Sequence, residues 1–380
     1  MQKTPKFKIF YLIGIVLFLF SFGCSDDNDL EPYPLPLALQ RMVHEVIVQY
    51  QAPGAALTVR FADGSTFSYA AGMADLGTQT PLTPQHLFRI GSVTKTITAC
   101  GVLMLYQQGF FGLDDSVESI LPGLIPVYGS QITVRMLLNH TSGLEDYVGC
   151  PYEGDYFFTA IVDDPIRAWT PLELVQVTVD CGLADTPGQS FLYSNANYII
   201  LGLIIEAVSG QAYEDFVQDN IFDALGMQDT LSPVQTGFPG DFARGYFEKD
   251  SDGLLYDYSI QSPSAVWAAG NVISTPADLL LWAEALSSGA LLTQDAFDQR
   301  FVPVDMEVED HPEATYGLGV LIAGPEEGHN GSVPGYQTQL FAVNGVYFAV
   351  YTNCYYQTKD NVSQVIYDKA KEILQAYDAL

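Results

Sequence analysis

Positive charge is scarce in this sequence. Its 380 residues include 15 Lys and Arg against 45 Asp and Glu, which gives a formal net charge of −30 at pH 7. A chain this acidic repels phosphate backbones and anionic lipid surfaces, so we expect no nucleic-acid partner. The scarcity also makes single cations informative, because Lys95 is the one lysine between Lys8 and Lys249.

Patterns typical of metal sites are lacking as well. The five cysteines include no C-x-x-C pair, and the five histidines form no H-E-x-x-H motif. A G-x-S-x-G nucleophile elbow is also absent from the sequence. We therefore predict no metal and no cofactor, and no serine hydrolase of the elbow type.

One long apolar run stands at the start of the chain. Three lysines precede "IFYLIGIVLFLFSFG", which ends at Cys24 and is short for a membrane span. This pattern predicts a lipoprotein signal peptide over residues 1–23, with cleavage before Cys24 and lipidation of its thiol. A retained N-terminal anchor is the alternative.

Removal of this leader leaves 12 basic residues against 45 acidic ones, a net charge of −33. The acidic stretch "CSDDND" resembles a surface-export tag of bacterial lipoproteins. We expect an exported protein, lipid-anchored in the bacterial envelope at the outer membrane or the cell surface. Residues 24–36 are interpreted as a linker and residues 37–380 as one domain.

Strand patterns occur at both ends of this domain and helical patterns between them. Residues 35–51 have helical periodicity, and "GAALTVRFADGSTFSYAAG" predicts two strands around Asp63-Gly64. A second block, with "YGLGVLIAG", "YQTQLFAV" and "VYFAVYTN", predicts strands before a final helix in residues 362–377. An α+β fold follows, with an antiparallel sheet built from both ends, flanking helices, a mostly helical lobe, and a cleft at the seam.

Ser92 and Lys95 are the first candidates for chemistry. They lie in "GSVTK" at the start of an apolar helical run, three residues apart and so on one face of a helix. A neutral lysine can accept the proton of a serine nucleophile, and the helix N-terminus favours developing negative charge. A helix cap beside a surface cation is the alternative interpretation of an isolated S-x-x-K.

Two further polar segments extend this pattern. In "FLYSNANY", Tyr193 and Asn195 place a phenol and a carboxamide together before another apolar helix. A phenol can carry protons and a carboxamide can hold a lysine and a substrate by hydrogen bonds. In "GHNGSVPGY", a glycine lets a substrate backbone approach a strand while His329 and Ser332 offer hydrogen bonds.

Together these segments resemble the serine β-lactamase and penicillin-binding protein superfamily, specifically its class C branch with Streptomyces-type D-alanyl-D-alanine carboxypeptidases and related esterases. The resemblance runs from about residue 40 to about 355. The segments that carry it, in order, are "FRIGSVTK", "ITVRMLLNHTSGLEDY", "PGQSFLYSNANYIILGLIIE", "ARGY", "AAGNVISTPADLLLW", "YGLGV" and "GHNGSVPGY". It implies a β-lactamase/transpeptidase-like fold.

The resemblance also implies roles for individual residues. Ser92 matches the acylated nucleophile, Lys95 its base, and Tyr193 and Asn195 the Y-x-N motif. The position that is K-T-G in β-lactamases is His329, Asn330 and Gly331 here, and a second oxyanion N–H is expected near Gln337 or Thr338. The "LLNHTSGL" segment, with His140, matches a structural support of the cleft wall.

The sequence departs from this family in one respect that concerns the substrate. The related carboxypeptidases carry an arginine on the strand before H-x-G, where it grips a terminal carboxylate. No Lys or Arg occurs between Arg300 and Lys359 in this chain. Asn330 also stands where threonine is common.

We predict an exported serine hydrolase that works through an acyl-enzyme on Ser92, of the D-alanyl-D-alanine carboxypeptidase type. An esterase or a class C-type β-lactamase on the same scaffold is the alternative, with a small peptide, an ester or a β-lactam as substrate. A non-catalytic surface-binding lipoprotein is a further alternative. The sequence does not indicate the oligomeric state.

Cys150 and Cys181 flank a segment that looks inserted after "HTSGLEDYVG". Export favours oxidation of thiols, so we predict a disulfide between these two cysteines. Two free thiols are the alternative.

Overall fold

The computed structural model describes residues 33–306 and 314–380. The predicted signal peptide, Cys24 and most of the predicted linker lie outside the described residues. The first helix, α1, begins at Leu35, two residues before the predicted start of the domain. None of the helices in the described ranges is long and apolar enough to cross a membrane.

The helices of the described chain are numbered α1 to α13 in order. They are Leu35–Tyr50, Thr94–Gln107, Val117–Ile120, Val134–Leu138, Phe157–Asp163, Pro171–Cys181, Asn195–Ser209, Tyr213–Val217, Asp223–Leu225, Trp267–Gly270, Pro276–Ser288, Gln294–Arg300 and Val362–Ala376. Short 3-10 turns span Gly91–Val93, Tyr147–Gly149 and Pro263–Ala265, and a π-helical turn spans Gln218–Phe222.

The strands are numbered β1 to β16 in the same way. They are Gly54–Arg60, Thr66–Asp75, Thr80–Pro81, Phe88–Arg89, Pro151–Tyr152, Asp155–Tyr156, Tyr246–Phe247, Tyr256–Asp257, Ile273–Ser274, Val304–Asp305, Ala314–Tyr316, Leu321–Ala323, Glu326–Val333, Tyr336–Val343, Val346–Thr352 and Cys354–Tyr355.

A large antiparallel sheet joins the two ends of the domain. Within residues 33–306 and 314–380, nine strands form it in the order β10-β11-β12-β13-β14-β15-β1-β2-β3. The seam is the pairing of β1 with β15, in which Ala55 lies opposite Thr352. The prediction of a sheet assembled from both ends is confirmed.

Helices cover both faces of this sheet, which explains why the central strands β1, β14 and β15 are buried along nearly their whole length. Helices α1 and α13 pack on one face with the buried side chains of β1, β14 and β15. The larger core on the other face includes α2, α7 and α11. The segment between β4 and β10 supplies most of this second layer and forms the predicted helical lobe.

The strand predictions are confirmed in most places. The hairpin of β14 and β15 turns at Asn344-Gly345, where both residues have positive φ (51° and 80°), as a two-residue type I′ turn requires. The stretch "YGLGVLIAG" is different, because it splits into β11 and β12 around a tight turn at residues 317–320. Gly319 there has φ 80°, and a Cβ on it would lie 2.3 Å from that of Ala99. The close approach to α2 breaks the strand.

A disulfide closes the segment that looked inserted. Cys150 and Cys181 are bonded, with their Cα atoms 5.9 Å apart, so the end of α6 is tied to the turn Tyr147–Gly149. Cys100 and Cys354 are free and buried.

Candidate active site

Ser92 lies on the 3-10 turn Gly91–Val93, immediately before helix α2. Gly91 takes a positive φ of 54°. Gly91 and Val93 are buried, whereas Ser92 between them is partly exposed. The turn therefore presents the Ser92 hydroxyl at the N-terminal end of a buried helix. Such a position favours negative charge near the hydroxyl.

Lys95 is fully buried one turn further along α2. Its Nζ lies 3.0 Å from Ser92 Oγ, 2.7 Å from Asn195 Oδ1 and 2.8 Å from the carbonyl oxygen of Ala269. Burial lowers the pKa of Lys95 from 10.5 to about 7, and the charge of Asp146 opposes this shift. The amine is thus partly neutral near pH 7 and can accept a proton.

Tyr193 contacts the same serine from the other side of the cleft. Its hydroxyl donates a hydrogen bond to Ser92 Oγ at 2.9 Å. Burial raises the pKa of Tyr193 well above 10, with the Ser92 hydrogen bond acting in the opposite direction. The side chain is therefore a neutral phenol that donates to the serine.

Asn195 connects the lysine to a carboxylate that the sequence analysis did not single out. Its Oδ1 accepts from Lys95, and its Nδ2 donates to Asp146 Oδ2 at 2.8 Å. Burial raises the pKa of Asp146 above its usual value, an effect that Lys95 partly offsets. The signal for Asp146 was its place two residues after "LLNHTSGL", within the segment "ITVRMLLNHTSGLEDY" that carries the family resemblance.

His140 supports the Tyr193–Asn195 segment from behind. Its Nδ1 accepts from the Ser194 backbone N–H at 3.2 Å, and Ser142 Oγ donates to Asn197 Oδ1 at 2.6 Å. Burial lowers the pKa of His140 well below 6.5, and Lys95 adds to this effect. The segment thus clamps the start of α7, which is the structural role that we predicted for it.

His329 was expected to offer a hydrogen bond to the substrate, but both its ring nitrogens are occupied. Nδ1 donates to the carbonyl of Asn330, because a carbonyl can only accept, and Nε2 then accepts from the Tyr316 hydroxyl at 3.0 Å. Burial lowers the pKa of His329 to about 3, with Lys95 contributing. The ring is 1% exposed and acts as a neutral support beside the site.

Strand β13 approaches the serine more closely than any side chain would permit. A Cβ on Gly331 would lie 2.0 Å from the carbonyl oxygen of Ile90 and 3.0 Å from the nitrogen of Ser92. A Cβ on Gly91 would lie 2.7 Å from the nitrogen of Ser332. Glycine at both positions therefore brings the Ser92 and Ser332 backbones together.

This contact corrects the expected position of the second oxyanion donor. Gln337 and Thr338 lie on β14, opposite Ser332 and Gly331, and so one strand further from the serine. Gln337 Oε1 instead accepts from the backbone of Val362 at the start of α13. The backbone that lies beside Ser92 is that of Ser332.

The side chains of β13 alternate between two environments. His329 and Gly331 are buried, whereas Asn330 and Ser332 are exposed. Since successive side chains point to opposite faces of a strand, the Asn330 and Ser332 side chains point away from the face that packs on the Ser92 turn. The binding roles that the sequence predicts for these two side chains stay predictions.

Two arginines of the segments that carry the resemblance, Arg244 and Arg89, already have partners within the protein. Arg244, from the "ARGY" segment, pairs with Asp75 at 3.0 Å and Asp257 at 2.7 Å. Arg89 is buried, donates to the carbonyl of Gln261 and stacks on a phenylalanine ring. Neither is a free cation for a substrate carboxylate.

The described ranges contain no cluster of three or more side chains suited to a metal ion. The absence of a metal and of a cofactor stays a prediction.

Comparison with protein families places this site in context. The family model described as Beta-lactamase matches residues 39–370. Penicillin-binding protein 4* of Bacillus subtilis (strain 168) is 31% identical over 305 residues, which cover 74% of this chain and 64% of that relative. A D-aminopeptidase of Brucella anthropi is 32% identical over 220 residues, 55% of this chain and 40% of the relative. The chain thus spans less than two thirds of the length of these relatives.

Solved structures agree with this comparison. A D-amino acid amidase from Ochrobactrum anthropi SV3, complexed with D-phenylalanine, is similar with a TM-score of 0.80 and 27% identity, over 90% of this chain and 99% of that one. A D-stereospecific amidohydrolase from Streptomyces sp. gives a TM-score of 0.76 and 29% identity, over 89% and 98% of the two chains.

Proposed function

Because the chain belongs to the Beta-lactamase family and is a serine hydrolase of that superfamily, we propose that it cleaves its substrate through an acyl-enzyme on Ser92. One observation carries this proposal. Two groups that can carry a proton, the Lys95 amine and the Tyr193 phenol, both lie within 3.0 Å of Ser92 Oγ. Burial lowers the pKa of the amine and raises that of the phenol. A helix cap beside a surface cation would show neither the burial of Lys95 nor the second contact.

The geometry supports a definite course for the protons in acylation. Neutral Lys95 takes the hydroxyl proton as Ser92 Oγ attacks the substrate carbonyl carbon. The tetrahedral intermediate then collapses, the bond to the leaving group breaks, and Tyr193 gives its proton to the departing nitrogen or oxygen. The proton on Lys95 then passes to the Tyr193 phenolate, since both groups lie within 3.0 Å of the same serine oxygen, and this restores the neutral amine and the phenol. Deacylation repeats the steps in reverse with water as the nucleophile.

Burial distinguishes the two groups as bases. The pKa of Lys95 is lowered to about 7, so much of the amine is neutral at neutral pH. The pKa of Tyr193 is raised above 10 by its burial, so the phenolate is rare there. We therefore assign the base to Lys95 and proton delivery to Tyr193.

The negative charge that develops on the substrate oxygen needs donors that are already in place. The backbone N–H groups of Ser92 and Ser332 are brought together by the contact at Gly91 and Gly331. We assign the oxyanion site to these two N–H groups. Removal of one such donor typically costs about 10²- to 10³-fold in kcat.

For the substrate, we propose amides, peptides or esters whose acyl part is a D-amino acid residue. This class includes the D-alanyl-D-alanine peptides expected from the sequence, and it agrees with the names of the D-aminopeptidase and D-amino acid amidase relatives. Arg244 and Arg89 already bind other groups of the protein, so neither is free to bind a substrate carboxylate. This favours substrates whose leaving group has no free carboxylate. Neutral esters and β-lactams are the other substrates to test.

Export and lipid anchoring are part of the same proposal and rest on the leader sequence alone. Expression with a radiolabelled fatty acid should label the full chain but not its Cys24→Ala variant. Equal labelling of both chains would contradict the anchor.

The nucleophile can be tested by mass spectrometry. Exposure to a fluorophosphonate or a penicillin should add one adduct to the intact chain. Ser92→Ala should abolish the adduct, whereas Ser65→Ala, at an exposed turn, should keep it. An adduct that persists in Ser92→Ala would disprove the assignment, and a folded wild-type chain that forms none would favour the non-catalytic binding lipoprotein.

A further inference from the structure

A carboxylate stands behind Lys95, separated from it by one amide group. Asn195 accepts from Lys95 Nζ through Oδ1 at 2.7 Å and donates through Nδ2 to Asp146 Oδ2 at 2.8 Å. In the described chain, neither Lys95 nor Asp146 forms a direct salt bridge. Each is the opposite charge that acts on the pKa of the other, through the intervening amide.

This arrangement fixes which end of the Asn195 amide faces the lysine. An ionised carboxylate can only accept hydrogen bonds, so Asp146 selects the NH₂ group of Asn195. The carbonyl oxygen must then face Lys95. Without an ionised carboxylate at position 146, the Asn195 amide could rotate by half a turn and direct its NH₂ group at the lysine instead.

Asp146 itself is held in place by the local fold. It caps the turn Tyr147–Gly149, and its Oδ1 accepts from the backbone of Val148 at 3.3 Å. That turn ends at Cys150, which the disulfide ties to α6. The carboxylate thus sits on a short, covalently anchored segment rather than on a free loop.

Other titratable groups around Lys95 are neutral and come from several elements. The rings of Tyr193 and Tyr198, both with pKa values raised by burial, have centroids 4.9 and 5.5 Å from Nζ. His140 and His329, with pKa values lowered by burial, stay uncharged near pH 7. Asp146 is the group whose charge favours protonated Lys95.

We propose that Asp146 is a positioning residue for Lys95: through Asn195 it orients the amide, and through its charge it sets the proton affinity of the amine. This inference rests on the proposed function only in naming Lys95 as the base. Without the carboxylate, the amine should release its proton more easily. With it, the amine keeps enough basicity to take the serine proton.

The direct test is the titration of Lys95 followed by NMR. The full chain, labelled with ¹³C at lysine Cε, contains eight lysines, and Lys95→Arg identifies the signal of Lys95. In Asp146→Asn the midpoint of that signal should fall by about one pH unit. The neutral fraction at pH 6 should then rise about fivefold, and the rising limb of kcat/KM should move to lower pH with it.

Two matched variants separate charge from structure. Asp146→Glu keeps the charge and should titrate near the wild-type midpoint. Glu145→Gln removes a carboxylate from the neighbouring position and should leave the midpoint unchanged. If Asp146→Asn does not fold, Asp146→Ser, which keeps a hydrogen-bond acceptor, should show the same fall.

An unchanged Lys95 midpoint in the folded Asp146→Asn or Asp146→Ser chain would overturn the inference. The NMR titration needs no turnover, so it stands apart from the test of Ser92. A shifted midpoint in a chain that forms no Ser92 adduct would uphold the inference and refute the proposed function.

Discussion

At the scale of the residue, the site is governed by what burial does to one amine. Lys95 is fully buried, and an isolated ammonium there would be costly. Three oxygen acceptors surround it, but in the described chain none is a carboxylate. The compromise is a pKa near 7, at which the amine can exchange a proton with little free-energy cost in either direction.

The pH dependence of acylation follows from this value. Neutral Lys95 is the active form, and its fraction grows as pH rises through about 7. We expect kcat/KM to increase between pH 5 and pH 8 and then to level off. In Lys95→Arg, whose guanidinium cannot give up its proton, acylation should fall by about 10²- to 10⁴-fold at every pH.

Stopped-flow measurement of adduct formation across this range checks both expectations. Lys249→Arg, which keeps the surface ion pair with Asp163, serves as the control and should behave as wild type. A flat profile from pH 5 to pH 9, or near-normal acylation in Lys95→Arg, would show that another group is the base.

The two buried histidines do not compete with this interpretation. Burial and the nearby Lys95 lower the pKa of both His140 and His329 below the usual 6.5. Both imidazoles are therefore already uncharged at pH values well below 7. Neither can therefore produce a rising limb near pH 7.

At the scale of the element, one contact between a strand and a turn decides the geometry of the site. Strand β13 meets the turn Gly91–Val93 at Gly331, where a Cβ would lie 2.0 Å from the Ile90 carbonyl oxygen. Gly331→Ala should force the two backbones apart and move the Ser332 N–H away from the serine. We expect kcat to fall by about 10²-fold or more, as when an oxyanion donor is removed.

A second glycine provides the control for this experiment. A Cβ on Gly240 would meet only a leucine methyl group at 3.7 Å, an ordinary contact. Gly240→Ala should keep full activity. Steady-state kinetics with an activated D-aminoacyl ester checks both, and wild-type kcat in a folded Gly331→Ala chain would rule out the oxyanion site at Ser332.

The disulfide stabilises the helical lobe at the same scale. It joins residues 31 apart in the sequence, and its loss should lower the free energy of unfolding by about 2–4 kcal/mol. The double variant Cys150→Ser/Cys181→Ser should show this loss in urea unfolding, and reductant should then have no further effect. Peptide mapping that finds both cysteines alkylated without reductant would contradict the bond.

Much of this fold and site could be predicted from the sequence because the signals are local. Period-two and helical patterns identify strands such as β1 and β14 and helices such as α1 and α13. The spacing of Ser92 and Lys95 fixes their relative position, since three residues make about one turn of helix. The Asn344-Gly345 turn follows from the same kind of local rule.

The features that were missed depend on contacts between distant segments. Asp146 matters because it meets Asn195, which lies 49 residues further along the chain, and nothing in its own neighbourhood separates it from Glu145. The donor role assigned to Ser332 depends on how closely β13 approaches the Gly91 turn. The neutral, engaged state of His329 depends on Tyr316. Each of these is set by tertiary packing, which no local pattern reports.

At the scale of the whole molecule, charge acts on the choice of substrate. The net charge of −30 creates a field that weakly opposes anions at physiological salt. Arg244 and Arg89 are engaged within the protein, so neither offers a free charge to a terminal carboxylate. A lost charge-assisted hydrogen bond costs about 1.5–3 kcal/mol.

We therefore expect any carboxypeptidase activity to be slow. Matched D-alanyl-D-alanine peptides with a free or a methylated terminal carboxylate should be compared by kcat/KM at low and high salt. The methyl ester should be turned over at least as well, and the difference should narrow as salt rises. A strong preference for the free acid would restore a strict D-alanyl-D-alanine carboxypeptidase.

The seam of the sheet has a consequence for how the polypeptide reaches its native state. Because Ala55 in β1 pairs with Thr352 in β15, strand β1 cannot complete its pairing until nearly the whole chain has been synthesised. Until then the β1–β2 hairpin keeps an open, apolar edge, which is a template for intermolecular pairing. Such long-range closure is slow and exposes the growing chain to aggregation. Premature release from the ribosome before residue 346 should leave a product that is selected for degradation rather than a smaller working enzyme.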